Sequence, residues 1–160
     1  MGKATDGEMG VVAALVRSAF LVNAVYAQAS REYGLTVQQG QLLCVLMSQP
    51  YGMTELGAVL GLEKSSLTGL VDRAVRRGLV RREPDPRDGR AVRVVLTEQG
   101  SAVVARFYDE TCRRVDALTA GLGDADRDTL AALLGEVVLA NRAPTVFLDL
   151  GDAAPAGQPA

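Results

Sequence analysis

Residues 54–100 read TELGAVLGLEKSSLTGLVDRAVRRGLVRREPDPRDGRAVRVVLTEQG, and within them the pattern changes from helix to helix to hairpin. Thr54 opens a short helix, T-E-L-G-A-V-L, that Gly61 closes. Leu67, Leu70, Val71, Ala74 and Val75 then fall at the i, i+3, i+4, i+7, i+8 spacing of a half-buried helix, which predicts a helix over 64–77. Gly78 stands where the left-handed residue after a helix is expected. Residues 79–83 (L-V-R-R-E) and 91–96 (A-V-R-V-V-L) predict two strands, the second partly alternating and β-branched. The two prolines and the glycine of P-D-P-R-D-G-R between them are turn chemistry for a hairpin tip.

Outward from this stretch the chain reads as helices. Thr36-Val37-Gln38-Gln39 has the T-x-x-Q form of a capping box and opens a helix through Leu42, Leu43, Leu46 and Met47, stopped by Pro50 and Gly52. Earlier, Thr5-Asp6-Gly7-Glu8 has the T-x-x-E form, and Val11, Val12, Leu15, Ala19, Val22 and Tyr26 follow at helical spacing. A first long helix is expected from about residue 7 to 31, ending near Gly34. Thr97 caps another long helix expected to reach about Leu122, and Asp124 begins a last one with Leu130, Leu133, Leu134, Val137 and Val138 on one face. A short apolar piece, T-V-F-L-D-L, follows Pro144, and residues 151–160, GDAAPAGQPA, are expected to be a disordered tail.

Composition removes whole classes of function. A chain of 160 residues suggests one domain and buries roughly 70% of its unfolded surface, so the core needs no covalent staples. Histidine is absent, which excludes Ser-His-Asp and Cys-His pairs and every histidine-bearing zinc site. Cys44 and Cys112 sit in apolar helical patterns and read as buried thiols rather than a disulfide framework. Asp124-Ala125-Asp126-Arg127-Asp128 resembles the start of a calcium loop, but Thr129 stands where glycine is required and Gly135 where glutamate is. No phosphate-cradling glycine motif occurs, so neither an enzyme, a metal site nor a cofactor is expected. The N-terminus lacks an apolar signal core and no unbroken apolar run reaches the ~18 residues of a membrane span, so a soluble cytoplasmic protein without a membrane partner is expected.

The net charge of −2 hides an asymmetry: residues 64–93 carry +5 and the remainder −7. A basic stretch on an acidic chain suits a polyanion, although charge alone fits a solvated helix face equally well. The order of elements favours the first. Short helix, turn, second helix and β-hairpin is the order of a winged helix-turn-helix, whose second helix enters the major groove with its N-terminal residues. With the apolar stripe inward, the outward face shows Lys64, Ser65, Ser66, Thr68, Gly69 and Arg73. Hydroxyls and a lysine at a helix start can meet base edges and phosphates, helped by free backbone N–H groups. Gly69 reads either as close approach to DNA or as tight packing.

Three parts of the run 60–100 resemble the multiple antibiotic resistance regulator (MarR) family: V-D-R at 71–73 with G-L-V-R-R at 78–82, the wing D-P-R-D-G-R at 85–90, and V-x-L-T-x-x-G closing at Gly100. The resemblance implies a mainly α fold with a small β-hairpin wing, residues 36–97 forming a winged helix-turn-helix lobe and residues 1–35 and 98–150 a helical dimerisation region. It implies a homodimer that binds double-stranded DNA at a pseudo-palindromic operator, acting as a ligand-responsive repressor. A winged module that binds proteins rather than specific DNA is the rival. By resemblance, Ser65, Ser66 and Thr68 face the groove with Lys64 beside them, and Arg73 contacts phosphate. Asp88 and Arg90 match the wing's D-x-R, in which the arginine enters the minor groove and the aspartate helps hold it; Arg87 is a second candidate at the tip. Of Arg76, Arg77, Arg81 and Arg82, only some are expected to touch phosphate. A small phenolic or carboxylate effector between the dimerisation helices and the lobe is implied, with Arg17, Tyr26, Tyr33, Tyr51 and Tyr108 as candidates. Surface placement of Arg17 and core packing of the tyrosines are the plainer readings. The family's peroxide-sensing branch uses a cysteine near the start of the first long helix, and this sequence has none there.

Overall fold

Among the described residues, 9–143 of a computed structural model, the elements run α1 (Val11–Glu32), α2 (Val37–Ser48), β1 (Tyr51–Gly52), α3 (Met53–Leu60), α4 (Lys64–Arg76), β2 (Val80–Pro84), β3 (Val92–Leu96), α5 (Glu98–Ala117) and α6 (Asp124–Ala140). The fold is mainly helical with a small antiparallel sheet in the order β1-β3-β2. The β2–β3 hairpin pairs Val80 with Leu96 at its base and Pro84 with Val92 near its tip. The strand β1 is an addition to the expected pair, joining Tyr51 to Val94 and Gly52 to Arg93. Two residues are too few to show alternation, so nothing in the sequence announced it.

Several boundaries differ from expectation. The first helix begins at Val11 behind an extended Gly10 with no side-chain cap, and the T-x-x-E box at Thr5–Glu8 lies outside the described residues. The third begins at Met53, one residue before Thr54, with Gly52 as its N-cap. The fifth stops at Ala117, because Leu118, Thr119 and Ala120 hydrogen-bond three residues back rather than four, tightening the chain into turns. The apolar piece after Pro144 and the expected disordered tail also lie outside the described residues.

The core fills the space between α2, α4, α5 and the sheet, with Leu42, Leu43, Leu70, Val71, Val94 and Phe107 fully buried. Two glycines allow close approaches that fix it. A Cβ on Gly40 would stand 2.8 Å from the ring of Phe107, so α2 lies directly against α5. A Cβ on Gly100 would fall 1.8 Å from the carbonyl oxygen of Leu79, which gives the glycine that closes V-x-L-T-x-x-G a steric reason.

The helices at the two ends of the chain are left bare. None of α6 is buried, and Leu133, Val137, Val138 and Leu139 are exposed along it. The first half of α1 exposes Val11, Val12, Val16 and Phe20, the last at 72%. By length and average composition alone, α1 is apolar enough to cross a membrane, although no unbroken apolar run in it reaches that length, as expected. Arg17, Ser18 and Asn23 interrupt the run without lowering its average enough.

Candidate nucleic-acid interface

The turn between α3 and α4 is set by Gly61, in the left-handed conformation at φ 64° and ψ 33°, and by Leu62, whose N–H donates to Gly57 O at 3.0 Å. A Cβ on Gly57 would come within 3.2 Å of Leu62 O, so the turn packs tightly on α3. On α4 the sequence stripe holds: Leu67, Leu70, Val71 and Ala74 are buried. Lys64, Ser65 and Ser66 are exposed on its first turn. The N-cap Glu63 makes no side-chain cap, so the first amides of α4 keep the partial positive charge of a helix start. Thr68 is half-buried, and its hydroxyl donates to Lys64 O at 2.8 Å. With its proton engaged in the helix, that oxygen meets an outside group as an acceptor beside a methyl. A Cβ on Gly69 would stand 3.2 Å from Nη1 of Arg73, so the bare glycine lets the exposed Arg73 guanidinium lie back along the helix.

The nine cations of residues 64–93 divide into two sets. Arg82 pairs with Asp72 at 2.7 Å, Arg81 with Glu83 at 2.8 Å, and Arg93 with Glu83 at 2.5 Å. Arg77 turns the other way, its Nη1 donating to Gln39 Oε1 at 2.9 Å. The side chains of Lys64, Arg73, Arg76, Arg87 and Arg90 make no hydrogen bond or ion pair to another of the described residues. These unpaired cations lie at the start and along the outer face of α4 and at the wing tip.

At that tip the sequence D-P-R-D-G-R folds as two successive turns of the same kind. Asp85 Oδ1 accepts from the Arg87 N–H at 2.8 Å, and Asp88 Oδ1 accepts from the Arg90 N–H at 3.0 Å. Asp88 N donates to Asp85 O and Ala91 N to Asp88 O, while Asp85 N donating to Ala91 O closes the hairpin. Arg87 and Arg90 thus occupy equivalent places in consecutive turns, both exposed. Asp88 does hold residue 90, but through its backbone N–H rather than its guanidinium. A two-residue separation suits that local bond and leaves the side chain free to project.

The effector candidates are only partly brought together. Tyr26 of α1 and Tyr108 of α5 are half-buried and share surroundings with Cys44 and Cys112. Burial pushes the Tyr26 hydroxyl far above its usual range, with Cys44, Cys112 and Tyr108 adding to it. Cys44 is buried, and burial likewise pushes its thiol up to about 12, away from the thiolate that reacts. Ser30 of α1 and Thr111 of α5 bury hydroxyls without a hydrogen-bond partner among the described residues. Tyr33 packs edge-on against Phe107 at 6.0 Å, which makes it a core contact. Tyr51 belongs to β1, and Arg17 stands on the exposed first half of α1, more than two turns before Tyr26.

Some features had no signal in the sequence. A cavity of about 490 Å³ lies between α3 and α4, floored by Met53, Gly57, Leu62 and Leu67 with Lys64 and Thr68 among its walls. The Arg77–Gln39 contact spans 38 residues and could not be read from local pattern. The doubled wing turn is missed when only the D-x-R at 88–90 is taken, although D-x-R occurs twice in D-P-R-D-G-R. No cluster of three or more potential metal ligands occurs among the described residues.

Comparison with known proteins agrees with this geometry. The sequence profile described as MarR family matches residues 33–91. The multiple antibiotic resistance protein MarR of Escherichia coli is 30% identical over 142 residues, 85% of this chain and 99% of that protein. Its apo crystal structure superposes with a TM-score of 0.72 over 83% of this chain and 99% of that one, at 25% identity. The transcriptional repressor CouR, solved bound to a 23-mer DNA duplex, gives 0.69 at 28% identity over 86% of this chain and 99% of its own. BpsR of Bordetella bronchiseptica, whose structure concerns regulation of DNA binding by 6-hydroxynicotinic acid, gives 0.66 at 26% identity over 85% and 97%.

Proposed function

Because the chain belongs to the MarR family of winged helix-turn-helix transcriptional regulators, we propose that it binds double-stranded DNA as a homodimer and represses transcription from a pseudo-palindromic operator until a small effector releases it. The observation that carries this is the sorting of the cations: Arg77, Arg81, Arg82 and Arg93 are held by protein partners, whereas the side chains of Lys64, Arg73, Arg76, Arg87 and Arg90 have none among the described residues. Desolvating a charge already paired in the protein gains little, while an unpaired arginine has its full donor set for phosphate or base. In this reading Ser65, Ser66 and Thr68 meet base edges in the major groove, with Lys64 beside them. Arg73 contacts the backbone, and Arg90, with Arg87 beside it, enters the minor groove, where a narrow A/T-rich width attracts arginine.

Residues 36–97 form the DNA-binding lobe, and residues 1–35 with 98–150 the dimerisation region. The support for pairing is the bare apolar surface of α1 and α6, which a second copy would bury and a lone chain leaves in water. That pairing also accounts for the apolar character of α1 without a membrane, and the protein acts in the cytoplasm as a binding protein rather than an enzyme. Tyr26 and Tyr108 support a phenolic or carboxylate effector at the α1–α2–α5 junction, with Tyr51 and Arg17 farther out.

The test is to incubate the purified protein with fragments of its own genome and sequence what it retains. Enrichment of a few fragments sharing an inverted repeat supports the reading. Failure to enrich any fragment even at low salt would point instead to a winged module that binds proteins.

A further inference from the structure

The C-terminal end of α4 is wired to both places where the chain crosses between lobe and helical frame. At the first crossing, residues 33–36, Arg77 Nη1 donates to Gln39 Oε1 at 2.9 Å, and the same oxygen accepts the Thr36 N–H at 3.1 Å. Gln39 is 4% exposed, so its amide is fixed in place, and the Thr36 hydroxyl accepts its N–H at 3.1 Å. The other nitrogen of the guanidinium lies over Gly34, 3.7 Å from where a Cβ would be, and Gly34 holds a left-handed φ of 64°. At the second crossing, residues 97–100, the Thr97 hydroxyl donates to Gly78 O at 2.5 Å and Thr97 N to Leu79 O at 3.1 Å. Gly100 presses against the same Leu79 carbonyl, as its missing Cβ shows.

Three consecutive residues, Arg77, Gly78 and Leu79, therefore tie one end of the recognition helix to the exit of α1 and to the entry of α5. The second tie combines the Thr97 hydroxyl with a backbone hydrogen bond and close packing. The first is a single polar contact, which can be removed without opening a cavity.

We propose that Arg77 is a positioning residue: through Gln39 it fixes the angle of α4 against the α1–α2 crossing, and so sets the half-site spacing that the dimer accepts. The proposal rests on the DNA-binding reading above and assigns Arg77 no contact with DNA. An arginine suits the role because its planar donors can hold an amide oxygen from a fixed direction, whereas lysine would be a looser tether. Losing one end of a helix tether leaves its N-terminal side chains able to reach bases but with less control over their separation from those of the partner. Discrimination between spacings then falls while contact with a single half-site survives.

The test compares the full-length protein with Arg77→Met, which keeps the stem and removes the donors, on operators with the native spacer and with one base pair added or deleted. The expected result is a loss of about tenfold on the native spacer, the scale of one charged hydrogen bond. The preference for native over altered spacers should shrink, with salt slope and single half-site binding unchanged. Gln39→Ala, which also gives up the bond from Thr36 N–H, should lose the spacing preference at least as far. The double variant should be no worse than Gln39→Ala alone, and Gln39→Glu, which keeps the acceptor, should retain the preference. A salt slope lowered by about 0.9 with equal loss on every DNA would make Arg77 a phosphate contact and overturn the proposal. A second measurement stands apart from DNA. Nitroxides attached through unnatural amino acids at positions 23 and 65 of one protomer, diluted into unlabelled protein, report the α1–α4 distance. Arg77→Met should broaden that distribution; an unchanged distribution overturns the tether whether or not the protein binds DNA.

Discussion

In the proposed DNA-binding reading, Thr68 and Arg73 of one helix have different work. The Thr68 oxygen, its proton engaged by Lys64 O, would offer an acceptor to a base donor, and such a contact carries sequence information. Arg73 lies farther along α4, folded over Gly69, where a helix leaves the groove floor and approaches phosphate. Ser66→Ala or Thr68→Ala is therefore expected to cost ~1–3 kcal/mol on the true operator and much less on unrelated DNA at equal salt. Arg73→Ala should weaken both DNAs alike. Equal loss on both DNAs for the helix-start variants, with discrimination lost only in Arg73→Ala, would invert the assignment. A second residue carries a purely structural expectation. With Leu79 O at 1.8 Å from its missing Cβ, Gly100→Ala must move backbone, and urea unfolding should show a loss of about 2 kcal/mol or more. A loss below the error of the measurement would show that the strand and α5 are free to part.

Among the elements, the wing is the one whose geometry adds most to its sequence. Because Asp88 fixes the Arg90 backbone and leaves its guanidinium free, Arg90→Ala should lower the salt slope of operator binding by about one phosphate equivalent without changing the fold. An unchanged slope and affinity would mean that the tip does not reach DNA. A different pair of elements, α1 and α5, is joined by charge: Arg114 bridges Glu32 at 2.5 Å and Glu110 at 2.6 Å. Hydrogen bonds from Arg113 and then Arg114 hold the Glu110 carboxyl at about 2, below its ordinary 4.5, and a hydrogen bond from Arg114 lowers Glu32 as well. A carboxylate depressed on folding contributes stability above its ordinary value and loses it as pH falls through the folded one. Glu110→Gln should thus flatten the loss of helical circular dichroism between pH 4.5 and 2, most visibly at low salt. An identical acid profile would show that the bridge adds nothing.

These elements also show how far a sequence can be read. The α4 stripe, the capping box at Thr36 and the hairpin were legible because each depends on neighbours within a turn or two. The burial of Leu67, Leu70, Val71 and Ala74 follows that period directly. The β1 strand was not legible, because two residues pair only when β3 is already in place. Nor was the division of the arginines. Arg82 with Asp72, Arg93 with Glu83 and Arg77 with Gln39 are contacts across 10, 10 and 38 residues, and charge counts cannot say which cations they leave over.

For the whole molecule, the proposed function assigns two different partners to the exposed apolar faces of α1 and α6 and to the cations of the lobe that have no side-chain partner among the described residues. A second copy would cover the first and duplex DNA would meet the second, and a two-fold axis through the pair would make the operator an inverted repeat. The most direct test is a hydroxyl-radical footprint of the purified protein on a fragment recovered from its own genome, with the chain-to-duplex ratio taken from native mass spectrometry of the same complex. Two chains per duplex are expected, with two protected half-sites related by a two-fold axis and about one helical turn apart, roughly 10 base pairs. Arg90→Ala should lose protection where the wings meet the minor groove. A single protected site with one chain bound, or uniform protection without a boundary, would overturn the dimeric DNA-binding reading.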